Sequence, residues 1–226
     1  MKRLILVVAS CFVVACGGGG GGGGGSNSGG NNPITPTPAN HNPSITAMSF
    51  SPAFGIQELT SFTYSASASD SDGDSLSYAW DIAGNPHSGT SGTIRFTNGG
   101  SGTARLTVTD GKGGSASDTR SFVVGSATGT WVRASGPSAL GNYRFVLHQI
   151  STSVTGTYWD STYGDGRIDP AEPGTIDSRG NIRIRVKQGH YTDWYFSGTM
   201  AATGRTISGT VRGSGFTGQP FSVTKQ

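Results

Sequence analysis

"SASASDSDGDSLSYAWDI", residues 65–82, decides how this chain is to be read. Serine and alanine alternate over residues 65–69, and "LSYAWDI" alternates polar and apolar positions over residues 76–82. Between them lies the acidic, glycine-containing turn "DSDGD". A two-residue period on both sides of such a turn marks two strands and not a helix. Working outward, Phe62 and Tyr64, and then Leu106 and Val108, fall on single faces of their strands and are expected to form a core. Short alternating runs broken by Gly, Asn and Asp recur to the C-terminus, and no stretch carries a 3.6-residue apolar period. The chain is read as all-β: a small β-sandwich over residues 43–124, followed by a small antiparallel eight-stranded β-barrel over residues 128–226.

In the first of these regions "ITAMSFSP", "LTSFTYSASAS", "LSYAWDI", "GTIRFTN", "TARLTVTD" and "TRSFVV" are the expected strands. Residues 65–82 together with "ARLTVTDGKGGSASDT", residues 104–119, resemble the PKD and cadherin-like branch of immunoglobulin-like domains. That resemblance implies a core tryptophan at Trp80 and a late turn at Thr109-Asp110-Gly111. The pattern departs after Asp81, where "IAGNP" replaces the usual Gly-Asp-Gly turn, so the region is read as Ig-like in the broad sense. Asp70, Asp72 and Asp74 alternate in the manner of carboxylates that converge on one calcium ion. Against an EF-hand stand Ser75 at the sixth loop position and the missing bidentate acid beyond it, and Asp and Gly also build tight turns without metal.

The N-terminal residues give an address. Lys2 and Arg3 precede a short apolar run ending in "VVAC", residues 13–16. The run is too short to span a bilayer and reads as an export signal over residues 1–15. "VVAC" resembles the bacterial lipobox, which implies that Cys16 becomes the lipid-bearing first residue of the mature protein. Nine consecutive glycines follow, then a Pro/Thr-rich stretch, so residues 16–42 are expected to be a disordered tether with a root-mean-square span of about 25–30 Å. Cys11 leaves with the signal, so the mature chain keeps no thiol for a disulfide or a thiolate metal site. Glycine after Cys16 suggests outer-membrane delivery if sorting follows the Gram-negative pattern, and the membrane is then a partner through the anchor.

The barrel region reads as a meander: "GTWVRA", "NYRFVLHQI", "SVTGTYWD", "GTIDS", "NIRIRVK", "TDWYFSGTM", "RTISGTVRG" and "QPFSVTK". An early Gly129-Thr130-Trp131 and the repeated "VTGTYW", "FSGTM" and "ISGTVRG" resemble the avidin and lipocalin type of small barrel, a likeness of pattern that carries no ligand residues across. Such a barrel either holds one small ligand or is filled by its own side chains. In "NIRIRVK" the basic Arg183, Arg185 and Lys187 share one face, which is either a ligand surface or a solvated face that deters edge pairing. Tyr191, Trp194, Tyr195 and Phe196, with Tyr158, Trp159 and Tyr163, form an aromatic cluster able to stack on sugar rings, although alternation must send some of that cluster to the core. The segment from Ser161 to Glu172 carries the later features of an EF-hand but lacks its first acids, and is expected to be a long hairpin loop.

Composition narrows the function. Removing Lys2 and Arg3 leaves 14 basic against 13 acidic residues, so no nucleic acid is expected as partner. Residues 43–124 hold 4 basic and 7 acidic side chains and residues 128–226 hold 10 and 6, which confines any preference for polyanions to the barrel. There is no Gly-x-Ser-x-Gly elbow, the four histidines are scattered, and Glu58 and Glu172 are the only glutamates. The expectation is a lipid-anchored envelope protein that is not an enzyme and that binds a glycan, an anionic polysaccharide or an envelope protein. The alternative is a structural envelope lipoprotein with a filled barrel and no small-molecule site.

Overall fold

The computed structural model describes residues 38–189, 193–213 and 215–226. The first region is a two-layer sandwich. One sheet pairs β1 (Ser44–Ser51) with β3 (Phe62–Ser69) and β3 with β6 (Ser91–Ile94). The other runs in the order β2 (Phe54–Ile56), β8 (Ser115–Gly125), β7 (Gly100–Thr109), β4 (Ser77–Ile82), β5 (Asn85–Ser88). Alternation places Phe62, Tyr64, Trp80, Leu106, Val108 and Phe122 between the layers, as the pattern of the sequence requires. The indole of Trp80 packs 4.9 Å from the ring of Tyr64 and donates its N–H to the Gly89 carbonyl, so a bulky apolar side chain is buried without stranding its polar atom. Asp110 ties the late turn: its Oδ1 accepts the amides of Lys112 and Gly114, and its Oδ2 accepts from the Asn40 side chain at 2.8 Å. These hydrogen bonds, that from Asn40 foremost, hold its carboxyl below the usual carboxylate range.

The second region closes on itself. After β9 (Gly129–Ser135) and a short 3-10 turn at Ser138–Leu140 come β10 (Tyr143–Ile150), β11 (Ser153–Asp160), β12 (Gly164–Ile168), β13 (Gly174–Ile176), β14 (Asn181–Lys187), β15 (Trp194–Met200), β16 (Thr206–Gly213) and β17 (Phe216–Lys225). Each strand pairs antiparallel with its neighbour, and β17 returns to β9. The segment expected as a hairpin loop, 161–172, instead contributes β12, which pairs from Gly164 opposite Asp160 to Ile168 opposite Gly156. Only Ile168 of its five residues is a buried apolar side chain, which is why the strand leaves almost no trace in the hydrophobic pattern. Strands β12 and β13 occupy successive stretches of one slot between β11 and β14, giving nine strands in eight positions.

The barrel interior is solid. Trp131, Phe145, Leu147, Tyr158, Trp194, Phe196 and Phe221 all point inward and form one apolar cluster with the aliphatic residues of the other strands. Ile56, at the end of β2 in the sandwich, is completely buried within that same cluster, and Phe54 and Leu59 pack against it. The connecting segment is held as firmly. Ala127 is buried, its N–H donates to Gln149 Oε1 at 2.9 Å, and its carbonyl accepts from Trp131 Nε1 at 2.7 Å. Ser151 N–H donates to Glu58 Oε2 at 2.6 Å. The sandwich thus caps one end of the barrel through a shared core, buried hydrogen bonds of the connecting segment and a surface hydrogen bond from Ser151 to Glu58. No helix among the described residues is long and apolar enough to cross a membrane.

Candidate functional site

With the interior filled, the surface with functional chemistry is the outer face of β14, β15 and β16. Register builds it. Arg183 lies opposite Ser197, which lies opposite Thr210, and Arg185 lies opposite Tyr195, which lies opposite Arg212. Alternation turns all six outward, in two adjacent rows across three strands. Ser208 and Thr199 extend the hydroxyl-bearing surface beside the first row, and a shallow trough of about 650 Å³ runs over it with Arg183 at one side. Gly198 and Gly209 face each other on the inward phase, where a Cβ on Gly209 would run into the Ser197 carbonyl and Gly198 Cα. The strands approach closely there because both positions are glycine.

Charge divides the three basic residues of β14. Arg185 is ion-paired with Glu172 and with Asp193, and its guanidinium lies 5.9 Å from the ring centroid of Tyr195. Lys187 is paired with Asp169 at 2.5 Å. The Lys187 ammonium in turn holds the Asp169 carboxyl below the usual range. Arg183 and Arg212, by contrast, make no ion pair among the described residues. Of the predicted ladder, then, Arg183 keeps its charge available, while Arg185 and Lys187 spend theirs on the loop between β12 and β13 and on Asp193.

Trp194 corrects the aromatic expectation. It is only 2% exposed, because Trp194, Phe196 and Met200 share the inward phase of β15. Tyr195 takes the outward phase and is 48% exposed, which makes it the ring that a ligand can meet. Tyr195 belongs to the aromatic cluster read from the sequence, and the inward Trp194 and Phe196 on either side of it fix its outward phase, whereas Arg212 and the hydroxyl side chains carry no such signal. Tyr191 and Cys16 lie outside the described residues.

In the sandwich, Asp70, Asp72 and Asp74 do converge: one carboxylate oxygen from each lies within 4.8 Å of the others. Asp70 Oδ1 accepts the amides of Asp72 and Asp74, while Asp70 Oδ2 and Asp74 Oδ2 are buried without a partner. Lys112 Nζ sits 2.6 Å from Asp74 Oδ1, and His41 bonds Asp72 through its backbone N–H and through Nδ1. The cluster is therefore partly neutralised by the Lys112 ammonium and hydrogen-bonded by His41.

Comparison with known proteins gives the first region a family. Residues 40–124 match the family model described as the PKD domain. The crystal structure of the PKD1 domain of Vibrio anguillarum Epp is 31% identical, with 38% of this chain and 96% of that chain covered, at a TM-score of 0.30. A structure from work on the promiscuous specificity of carbohydrate-binding modules of the β-sandwich superfamily aligns at 20% identity and a TM-score of 0.38, over 76% of this chain and 61% of the other. A quinonprotein alcohol dehydrogenase-like protein from Bacteroides thetaiotaomicron aligns at 10% identity and a TM-score of 0.30, over 70% and 48% respectively. No curated protein matches the chain. Residues 40–124 are thus the part of the chain that matches the PKD domain family.

Proposed function

We propose that the protein is a non-catalytic binding module, lipid-anchored to the bacterial cell envelope through Cys16, whose barrel binds an anionic polysaccharide on the outer face of β14–β16. The observation that carries this reading is the pairing of an exposed ring, Tyr195, with two arginines that make no ion pair among the described residues, Arg183 and Arg212, on a surface that also bears Ser and Thr hydroxyls, with Asp177 and Asn181 among the residues lining the trough. Strand spacing puts the two arginine Cα atoms about 12 Å apart on a diagonal across β15. A guanidinium forks onto a carboxylate or sulfate with two parallel hydrogen bonds, and a tyrosine ring covers the apolar face of a sugar. The filled interior turns binding away from the barrel's lumen and toward its wall.

The test is a titration of the full chain in detergent with a polyuronate and, as control, an uncharged glucan. Saturable binding of the polyuronate alone is expected. Arg183→Ala and Arg212→Ala should each weaken it about tenfold, which corresponds to about 1.4 kcal/mol. The solid interior also favours a second reading, a structural envelope lipoprotein without a small-molecule site, and indifference to both polymers would favour it. We place one calcium ion at Asp70, Asp72 and Asp74, on the support of the two buried carboxylate oxygens that lack partners. Calcium should then raise the unfolding midpoint of the wild type and not that of Asp70→Asn.

A further inference from the structure

The trough over the outer wall does not end at Arg183. A second hollow of about 320 Å³ has Glu172, Pro173, Arg185 and Tyr195 in its lining, and it shares Thr175, Arg183 and Ser197 with the first. The two hollows therefore meet at Arg183 and form one groove. Register fixes what stands along it. Thr175 of β13 lies opposite Arg183, and Arg183 lies opposite Ser197, while Arg185, Tyr195 and Arg212 make up the neighbouring row. A line from Arg183 to Arg212 crosses β15 between Ser197 and Tyr195, which places the exposed ring between the two arginines and not beyond either.

Charge varies along this groove. Arg183 and Arg212, at the two ends of that line, make no ion pair among the described residues. Between them, the guanidinium beside the Tyr195 ring is that of Arg185, and it is already matched by Glu172 and Asp193. The Glu172 side chain is 58% exposed and lines the hollow, so a carboxylate stacked over Tyr195 would face a second carboxylate with no unmatched cation beside it. A neutral sugar ring meets no such repulsion there, and its hydroxyls can donate to the Glu172 oxygens. On the other side of Arg183, Asp177 and Asn181 line the trough with Ser and Thr hydroxyls, a surface that again suits uncharged hydroxyl groups better than an anion.

Resting on the reading of this outer face as a polysaccharide site, we propose that its ligand is a polysaccharide in which acidic and neutral sugars alternate, and that Glu172 sets the preference. One acidic residue sits on Arg183 and the next on Arg212, with a neutral ring stacked on Tyr195 between them. The diagonal of about 12 Å between the two arginine Cα atoms leaves room for that one ring. A polymer acidic at every residue would have to seat a carboxylate beside Glu172.

Titration of the full chain in detergent, at physiological salt, with two oligosaccharides of equal length tests the proposal. One is a hyaluronan fragment, in which a uronate alternates with a neutral N-acetylated sugar, and the other is an oligogalacturonate, acidic at every residue. The wild type is expected to bind the hyaluronan fragment more tightly although that fragment carries half the charge. Glu172→Gln should strengthen oligogalacturonate binding about fivefold, the scale of one exposed charge pair, and leave the hyaluronan fragment within about twofold. Equal or tighter binding of oligogalacturonate by the wild type, lost in Arg183→Ala, would overturn the alternation and leave the polysaccharide site standing. A Glu172→Gln variant that binds both ligands as the wild type does would overturn the role of Glu172 in the same way. Binding of neither ligand by the wild type would overturn the alternation and the site together.

Discussion

Lys225 carries a positive charge into the junction between sandwich and barrel, where its Nζ donates to the Ser126 carbonyl at 3.0 Å and lies 5.4 Å from the ring centroid of Trp131. Burial, and secondarily the Arg205 charge, lower its pKa from the ordinary 10.5. The sign of the effect follows from proton counting. Between the lowered folded value and 10.5 the unfolded chain holds the proton and the folded chain has released it, so stability should rise as pH rises through that window. Unfolding midpoints of the wild type as pH approaches 10.5 from below should show this slope, and Lys225→Met should flatten it; an identical slope in both proteins would contradict the assignment. At the same scale the sequence is legible only up to phase. The two-residue period of "TDWYFSGTM" is plain, but which of Trp194 and Tyr195 faces the core depends on counting from Phe196 and Met200. That Arg185 and Lys187 are neutralised by Glu172, Asp193 and Asp169 depends on a loop returning across β14, a tertiary fact that no local pattern encodes.

At the scale of elements, the functional face exists because β15 and β16 come close at Gly198 and Gly209. A methyl group at Gly209 would meet strand backbone and not a flexible side chain, so the two strands would have to separate. Gly209→Ala should destabilise the fold by about 1–3 kcal/mol, the usual cost of overpacking, and should disturb the trough together with the barrel. Denaturant titration checks the first part, and an unchanged midpoint would mean that the ladder yields there at no cost. Most strands were legible from alternating runs bounded by turns, including the six expected in the sandwich. The short β2 and β5 and the glycine-rich β12 were not, since three to five residues with few apolar side chains cannot establish a period.

At the scale of the whole molecule, residues 39–226 form one compact unit, and Ile56 is the side chain that makes the barrel's core and the sandwich's edge continuous. Truncation to Ile56→Ala should cost about 2–5 kcal/mol. The wild type should unfold in a single transition followed equally by signals from both regions; separate transitions would show that the junction does not couple them. A cap on one end of a filled barrel leaves the outer wall as the face open to a ligand. The central claim is that this wall binds polyanions through Arg183 and Arg212, and its most direct test is the unfolding midpoint of the full chain with a polyuronate at one hundred times its dissociation constant. The account predicts about 2.7 kcal/mol of stabilisation in the wild type and little in the double variant Arg183→Ala, Arg212→Ala. An equal rise in both proteins, or none in either, would contradict it.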